Sequence, residues 1–291
     1  MLAPLQNRPR PMSLWRAGRS RNASIQGLSV GLALLAVASC GSQSSRMMLG
    51  ARPQLPPTAI PQRRTDRISE IAHSELLEKA RIGVIDVYFV GDSITRRWGA
   101  LDYPELLANW NENFFGWNAA DFAWGGDRTQ NILWRLQNGE LAGVEPKIFV
   151  IQAGTNNLGD MTSDAAQIES IYAGIKAIVE ACRSHAPNAV IVLTGLFPRS
   201  DVPLFRPVID SVNERLAAYA DGQVIRYVDI NDRLSGADGL LLDTMSDDGL
   251  HLSLAAYQIW ADALKPIFAQ ILGPPANRDQ APPPTGNPAV R

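Results

Sequence analysis

Val84-Ile85-Asp86-Val87-Tyr88-Phe89-Val90-Gly91-Asp92-Ser93-Ile94-Thr95 runs from an apolar segment through a glycine into a polar turn. Residues 84–90 read as a buried strand, and the Gly-Asp-Ser that follows reads as the turn from that strand into a helix. A serine at such a turn has an exposed hydroxyl and an unpaired backbone N–H, because the first N–H groups of a helix have no partner within it. Alone, the motif favours the plainer role of a helix cap by Asp92 or Ser93. Its surroundings overturn that reading.

Working outward, apolar runs alternate with stretches of helical periodicity. Residues 120–124, 148–152, 190–193 and 224–230 read as further strands, and residues 68–80, 129–136, 163–185 and 206–219 as helices. A last helix places Tyr257, Trp260, Leu264, Ile267 and Ile271 on one face. Near-continuously apolar strands alternating with helices define an α/β fold, with a parallel sheet covered on both faces. Ligands of such sheets bind beyond the carboxyl ends of the strands. Ser93, Gly126 and Asn156 all fall just past those ends.

Three more polar motifs keep Ser93 company: Gly125-Gly126-Asp127, Gly154-Thr155-Asn156-Asn157 and Asp248-Gly249-Leu250-His251. Each has a plain reading, as a turn, as a cap, and as a capping aspartate with a bystander histidine. In this order they supply what acyl transfer needs. His251, three residues after Asp248, is spaced so that the carboxylate accepts from one ring nitrogen while the other faces a serine. The Gly126 N–H, the Asn156 side-chain amide and the Ser93 N–H can converge on the oxygen where negative charge develops, with glycine permitting close backbone approach. The other two histidines read as structural, His73 in the first helix and His185 at a helix C-terminus ahead of Pro187, where a cation meets the helix dipole well.

With these blocks in this order, the chain resembles the SGNH hydrolases, the GDSL esterase/lipase superfamily. Its four invariant positions match Ser93, Gly126, Asn156 and His251, and Asp248 falls where the family keeps its triad acid. The resemblance spans about residues 83–272. Gly125-Gly126-Asp127-Arg128-Thr129, the run from Leu133-Trp134-Arg135 to Gly139-Glu140-Leu141, Leu196-Phe197-Pro198-Arg199-Ser200 and Val212-Asn213 are similar to the catalytic subunits of platelet-activating factor acetylhydrolase. The resemblance implies a flavodoxin-like three-layer α/β/α sandwich with a five-stranded parallel sheet. The strand count above agrees with it; the strand order comes from the resemblance alone. Ile94 replaces the leucine of the family's first block, a conservative apolar change.

The ends of the chain bear on location. Arg8, Arg10, Arg16, Arg19 and Arg21 precede an apolar run over 28–37 and then Ala38-Ser39-Cys40. This pattern reads as a secretory signal too short to span a membrane, and Val37-Ala38-Ser39-Cys40 looks like a lipobox, with lipid on the Cys40 thiol. A plain signal peptide or a buried helix is the alternative. The expected organisation is therefore a signal over 1–40, a proline-rich linker over 41–66, one hydrolase domain over 67–272 and a disordered proline-rich tail over 273–291. An exported envelope lipoprotein, membrane-bound through its anchor, follows from that reading. Cys182 lies on an apolar helical stripe and reads as a small core residue.

A net charge of −2 with 46% apolar residues gives no basic footprint for nucleic acid. No His-Glu-x-x-His or Cys-x-x-Cys occurs, so neither a metal nor another cofactor is expected. Asp92 and Asn157 read as loop supports, Arg96 and Arg97 as solvated surface rather than an anion trap. Trp98 and Trp124 read as core at least as readily as the wall of a sugar-binding pocket. The resulting expectation is a serine esterase acting on a short, acetyl-like acyl ester of a glycan or lipid. Its alternatives are an O-acyltransferase with the same site and an inert surface carbohydrate-binding protein. Related acetylhydrolase subunits dimerise, so a homodimer is compatible.

Overall fold

The computed structural model describes residues 54–290. The expected signal segment and Cys40 lie outside the described residues.

Five strands form one all-parallel sheet in the order β2-β1-β3-β4-β5: β1 (Val87–Gly91), β2 (Ala119–Asp121), β3 (Ile148–Gln152), β4 (Val190–Thr194) and β5 (Ile225–Val228). Side chains alternate between the faces along each strand. Tyr88, Val90, Phe149, Ile151, Ile191 and Leu193 enter one core; Val87, Phe89, Ile148, Val150 and Val192 enter the other. Because both faces are covered, the strands carry apolar residues at nearly every position.

The first core is roofed by α1 (Arg67–Lys79), α4 (Thr129–Arg135), α5 (Asp164–His185) and α6 (Arg206–Tyr219). On the opposite face lie α2 (Ser93–Gly99), α3 (Pro104–Phe114) and α8 (Leu254–Leu272), with the four-residue α7 (Asn231–Leu234) between β5 and α8. Local chemistry starts these helices. Asp66, Ser163 and Ser253 each accept from a backbone N–H of the first turn, and Pro104 opens α3, where no N–H is needed. The second core is aromatic at its centre, with the ring of Phe89 meeting those of Trp98, Trp110, Phe114 and Phe268. Truncating a phenylalanine so enclosed costs about 3–5 kcal/mol. Trp98 is therefore core, and it walls no pocket.

This architecture is the expected three-layer α/β/α sandwich. Between β1 and β3 the strand order changes direction, the place where open α/β sheets bind ligands. Ser93 and Asn156 leave the sheet from these two neighbouring strand ends.

Two segments expected to hang free are packed against the domain. In the supposed linker, Thr58 and Ala59 are buried, the Thr58 hydroxyl donates to the Ser170 carbonyl, and Thr129 Oγ1 donates to the Thr58 carbonyl at 3.0 Å. Asn131 Nδ2 donates to the Gln62 carbonyl at 2.9 Å. The tail expected to be disordered lies along the sheet's β2 side. Val84 N–H donates to the Gln280 carbonyl at 2.8 Å, Gly116 N–H to Asp279 at 2.6 Å, and Leu101 N–H to the Thr285 carbonyl at 3.1 Å. Proline removes a donor but leaves every carbonyl able to accept, so such segments dock on N–H groups that the domain offers. Among the described residues no helix is long and apolar enough to cross a membrane.

Candidate active site

Ser93 is the first residue of α2, and Asp92 caps that helix by accepting from the Ile94 N–H at 3.0 Å. Asp92 is sealed in the interior, and burial raises its carboxyl to about 7, against the pull of the Ile94 N–H. From the other end of the chain, the loop ahead of α8 brings His251 to Ser93. Nε2 of His251 lies 2.9 Å from Ser93 Oγ, and Nδ1 lies 2.7 Å from Asp248 Oδ2. A carboxylate can only accept, so Nδ1 carries the proton and Nε2 is left to accept from the serine hydroxyl.

Asp248 holds this loop by accepting from the backbone N–H groups of His251 at 2.7 Å and Leu250 at 3.0 Å. Partial burial works to raise its carboxyl, but those donors and the His251 ring outweigh burial and hold it well below the usual carboxylate range. For His251, burial lowers the imidazole below its ordinary value. Asp248 opposes that, while the cations Arg97 and Arg199 add to it. The ring is therefore neutral, and fit to take a proton, at neutral pH.

Gly249 is required in this loop. Its φ is +74°, and a Cβ there would lie 2.6 Å from the Asp201 nitrogen. The close approach lets Ser200 and Asp201 N–H groups donate to the Gly249 carbonyl at 2.9 and 3.3 Å.

The other two blocks meet beside Ser93. Gly126 sits in a left-handed turn with φ +75°, and its N–H has no acceptor among the described residues. Asn156 Nδ2 donates one hydrogen to the Asp127 carbonyl at 2.9 Å, which orients the amide and leaves the second hydrogen unused. Asn157 locks the two blocks together, accepting from Thr129 N–H at 3.0 Å and donating to Gln130 Oε1 at 3.0 Å. The support roles expected of Asp92 and Asn157 match these bonds.

The arginines around the site are less solvated than expected. Arg96 is buried, not solvated, and grips both oxygens of Asp102 at 2.9 Å above the Trp124 ring. Arg97 stands one turn along α2 from Ser93, against the Tyr103 ring and 3.6 Å from Asp248 Oδ2. Arg199 reaches the Thr155 carbonyl at 3.3 Å and pairs with Asp201, bridging the Asn156 turn and the segment that holds Gly249. The spacing of Arg97 from Ser93 is a signal available in sequence, and Arg199 falls within the run over 196–200 that carries the family resemblance. The described residues contain no group of His, Cys, Asp and Glu arranged to hold a metal.

The family model described as GDSL-like Lipase/Acylhydrolase matches residues 89–259, the stretch containing every block above. The chain is 35% identical over 205 residues to the platelet-activating factor acetylhydrolase IB subunit alpha1 of Bos taurus, covering 70% of this chain and 83% of that one. It is 32% identical over 202 residues to the alpha2 subunit of Gallus gallus, covering 69% and 83%. Among solved structures, a GDSL-like lipase from Bacteroides thetaiotaomicron superposes with a TM-score of 0.54 at 22% identity, over 69% of this chain and 98% of that one, a likeness of fold. On the family match and these identities, the chain belongs to the GDSL-like lipase/acylhydrolase family and is a carboxylic ester hydrolase.

Proposed function

We propose that the chain is a serine esterase that removes a short, acetyl-like acyl group from a glycan or lipid by way of an acyl-enzyme. The observation that carries this reading is the unbroken relay from Ser93 Oγ through both nitrogens of His251 to Asp248. In the first half-reaction Ser93 Oγ bonds to the ester carbonyl carbon while its proton passes to His251 Nε2. The bond to the leaving alcohol then breaks, and His251 returns the proton to that oxygen. In the second half-reaction a water gives its proton to His251 and bonds to the acyl carbon; the bond from that carbon to Ser93 Oγ then breaks, His251 returns the proton to Oγ, and the acid leaves. Asp248 keeps the ring in the tautomer that can accept and stabilises the imidazolium formed. The Gly126 N–H, the second Asn156 amide hydrogen and the Ser93 N–H receive the charge on the carbonyl oxygen. The short acyl group is supported by the relatives named acetylhydrolase at 35% identity.

The test is hydrolysis of p-nitrophenyl esters from acetate to laurate by the whole chain and by Ser93→Ala. The reading expects turnover that favours acetate and falls about 10⁴-fold or more in the variant. A preference for laurate would replace the acetyl assignment with a lipase, and equal rates in both proteins would remove Ser93 from the chemistry.

A further inference from the structure

Ahead of the first helix, in the stretch whose composition reads as a linker, Arg64 reaches into the active site's support. Its Nη1 donates to the Gly125 carbonyl at 2.7 Å and to Asp127 Oδ1 at 3.1 Å. Its Nε donates to Asp66 Oδ2 at 3.1 Å, so the guanidinium is itself aimed by the residue that caps α1. The Gly125 carbonyl and the Gly126 N–H belong to one peptide group. That group is planar and trans, so the two bonds point in opposite directions. A donor clamped on the oxygen therefore fixes where the hydrogen points. The peptide adjoins the nucleophile, since a Cβ built on Gly125 would lie 3.9 Å from Ser93 Cβ.

A cation on the carbonyl does more than orient it. Drawing electron density toward the oxygen makes the N–H of the same amide a stronger donor, as in any chain of hydrogen bonds that polarise one another. Gly126, at φ +75°, has no side chain to brace it, and Arg64 Nη1 comes within 3.4 Å of where its Cβ would stand. The neighbouring Asp127 is held from the far side by Arg135 Nε at 2.7 Å. The turn is thus clasped between two guanidinium groups.

We propose that Arg64 is a positioning residue for the oxyanion hole: its guanidinium fixes and polarises the Gly125–Gly126 peptide, whose N–H receives the charge on the substrate oxygen. The inference rests on the serine-esterase reading above. Arg64 touches no reacting atom, and its effect belongs to the transition state, where the charge appears.

The experiment compares p-nitrophenyl acetate turnover by the whole chain with Arg64→Ala, Arg64→Lys, Arg63→Ala and Ser93→Ala. Arg63 is the control, an adjacent arginine paired with the exposed Glu70. Arg64→Ala loses about 10- to 100-fold in kcat, less than deletion of an oxyanion donor, with KM held within about twofold. Arg64→Lys falls between, and millimolar guanidinium chloride restores part of the rate of Arg64→Ala; Arg63→Ala keeps the wild-type rate. A wild-type rate in Arg64→Ala, or a loss that neither lysine nor guanidinium repairs, overturns the proposal. An inactive Ser93→Ala beside a fully active Arg64→Ala sinks this proposal alone, whereas an active Ser93→Ala sinks the esterase reading beneath it.

Discussion

Asp248 is 47% exposed and its partner His251 borders solvent, whereas Asp127, Arg135 and Glu140, which stand behind the Gly126 turn, are sealed in the core. The side proposed to hold the base is kept in place by a surface loop and backbone N–H groups. The side proposed to hold the oxyanion is rooted in a largely buried network of polar and charged side chains. His73 Nδ1 meets Glu140 at 2.8 Å, Glu140 grips Arg135, and Arg135 and Arg64 share Asp127. On the proposed serine-esterase mechanism, the difference follows from what each side would have to do. A base exchanges protons with water on every turnover, so its surroundings stay open. Oxyanion donors act only if they are aligned before charge appears, so they need a rigid footing. Buried ions supply rigidity at a desolvation cost that only good partner geometry repays.

The contrast breaks most visibly at Arg135. Arg135→Met leaves the Asp127 and Glu140 carboxylates buried without their common partner. Urea denaturation should find about 3–5 kcal/mol less stability. A variant as stable as the wild type would mean that Arg135 contributes no net stability there, and the rigid footing would vanish. Asn156→Ala sharpens the same side by removing a donor and little of its support. Steady-state kinetics should give a fall of about 10²–10³ in kcat, while stability drops by no more than about 1–2 kcal/mol for one hydrogen bond. A stability loss as large as that of Arg135→Met would mean that the donor and its footing are one unit.

The smallest effect belongs to the open side. The Arg97 cation disfavours protonation of His251, so Arg97→Gln raises the imidazole pKa. The acid limb of kcat/KM should then move upward by less than about one pH unit, lowering activity near pH 6 and leaving it unchanged above pH 8. An unmoved limb in the pH profile would mean that Asp248 already cancels the guanidinium.

The fold and the four blocks were legible in the sequence because their signals are local. Residues 148–151 are apolar throughout and with Gln152 coincide with β3, and 206–219 coincide with α6. The polar motifs sit at strand ends, where glycine and asparagine stand out. Most of what escaped depends on distant partners. β2 ends at Asp121, short of the expected 124: the Phe122 and Trp124 N–H groups still donate to the Phe89 and Gly91 carbonyls of β1, but the Phe122 carbonyl accepts from Arg135 Nη1 at 2.9 Å. α3 is absent from the expected helices although Leu107, Trp110 and Phe114 recur at helical spacing behind Pro104, a signal the sequence does carry. Arg96 looked solvated because its partner, Asp102, lies past the end of α2. The proline-rich ends looked unstructured because composition reports a shortage of regular elements and says nothing about docking.

That docked tail closes the molecule in one further sense. β2 is a border strand of the sheet and only three residues long, and Ala119, Ala120 and Asp121 share a cavity wall with Pro282, Pro283 and Pro284. A bare border strand offers its unpaired amides to any passing chain, a common start of aggregation. Three consecutive prolines shield that border and, having no N–H groups, offer no complete hydrogen-bonding edge of their own. The sheet therefore ends in a seam that another strand cannot readily copy.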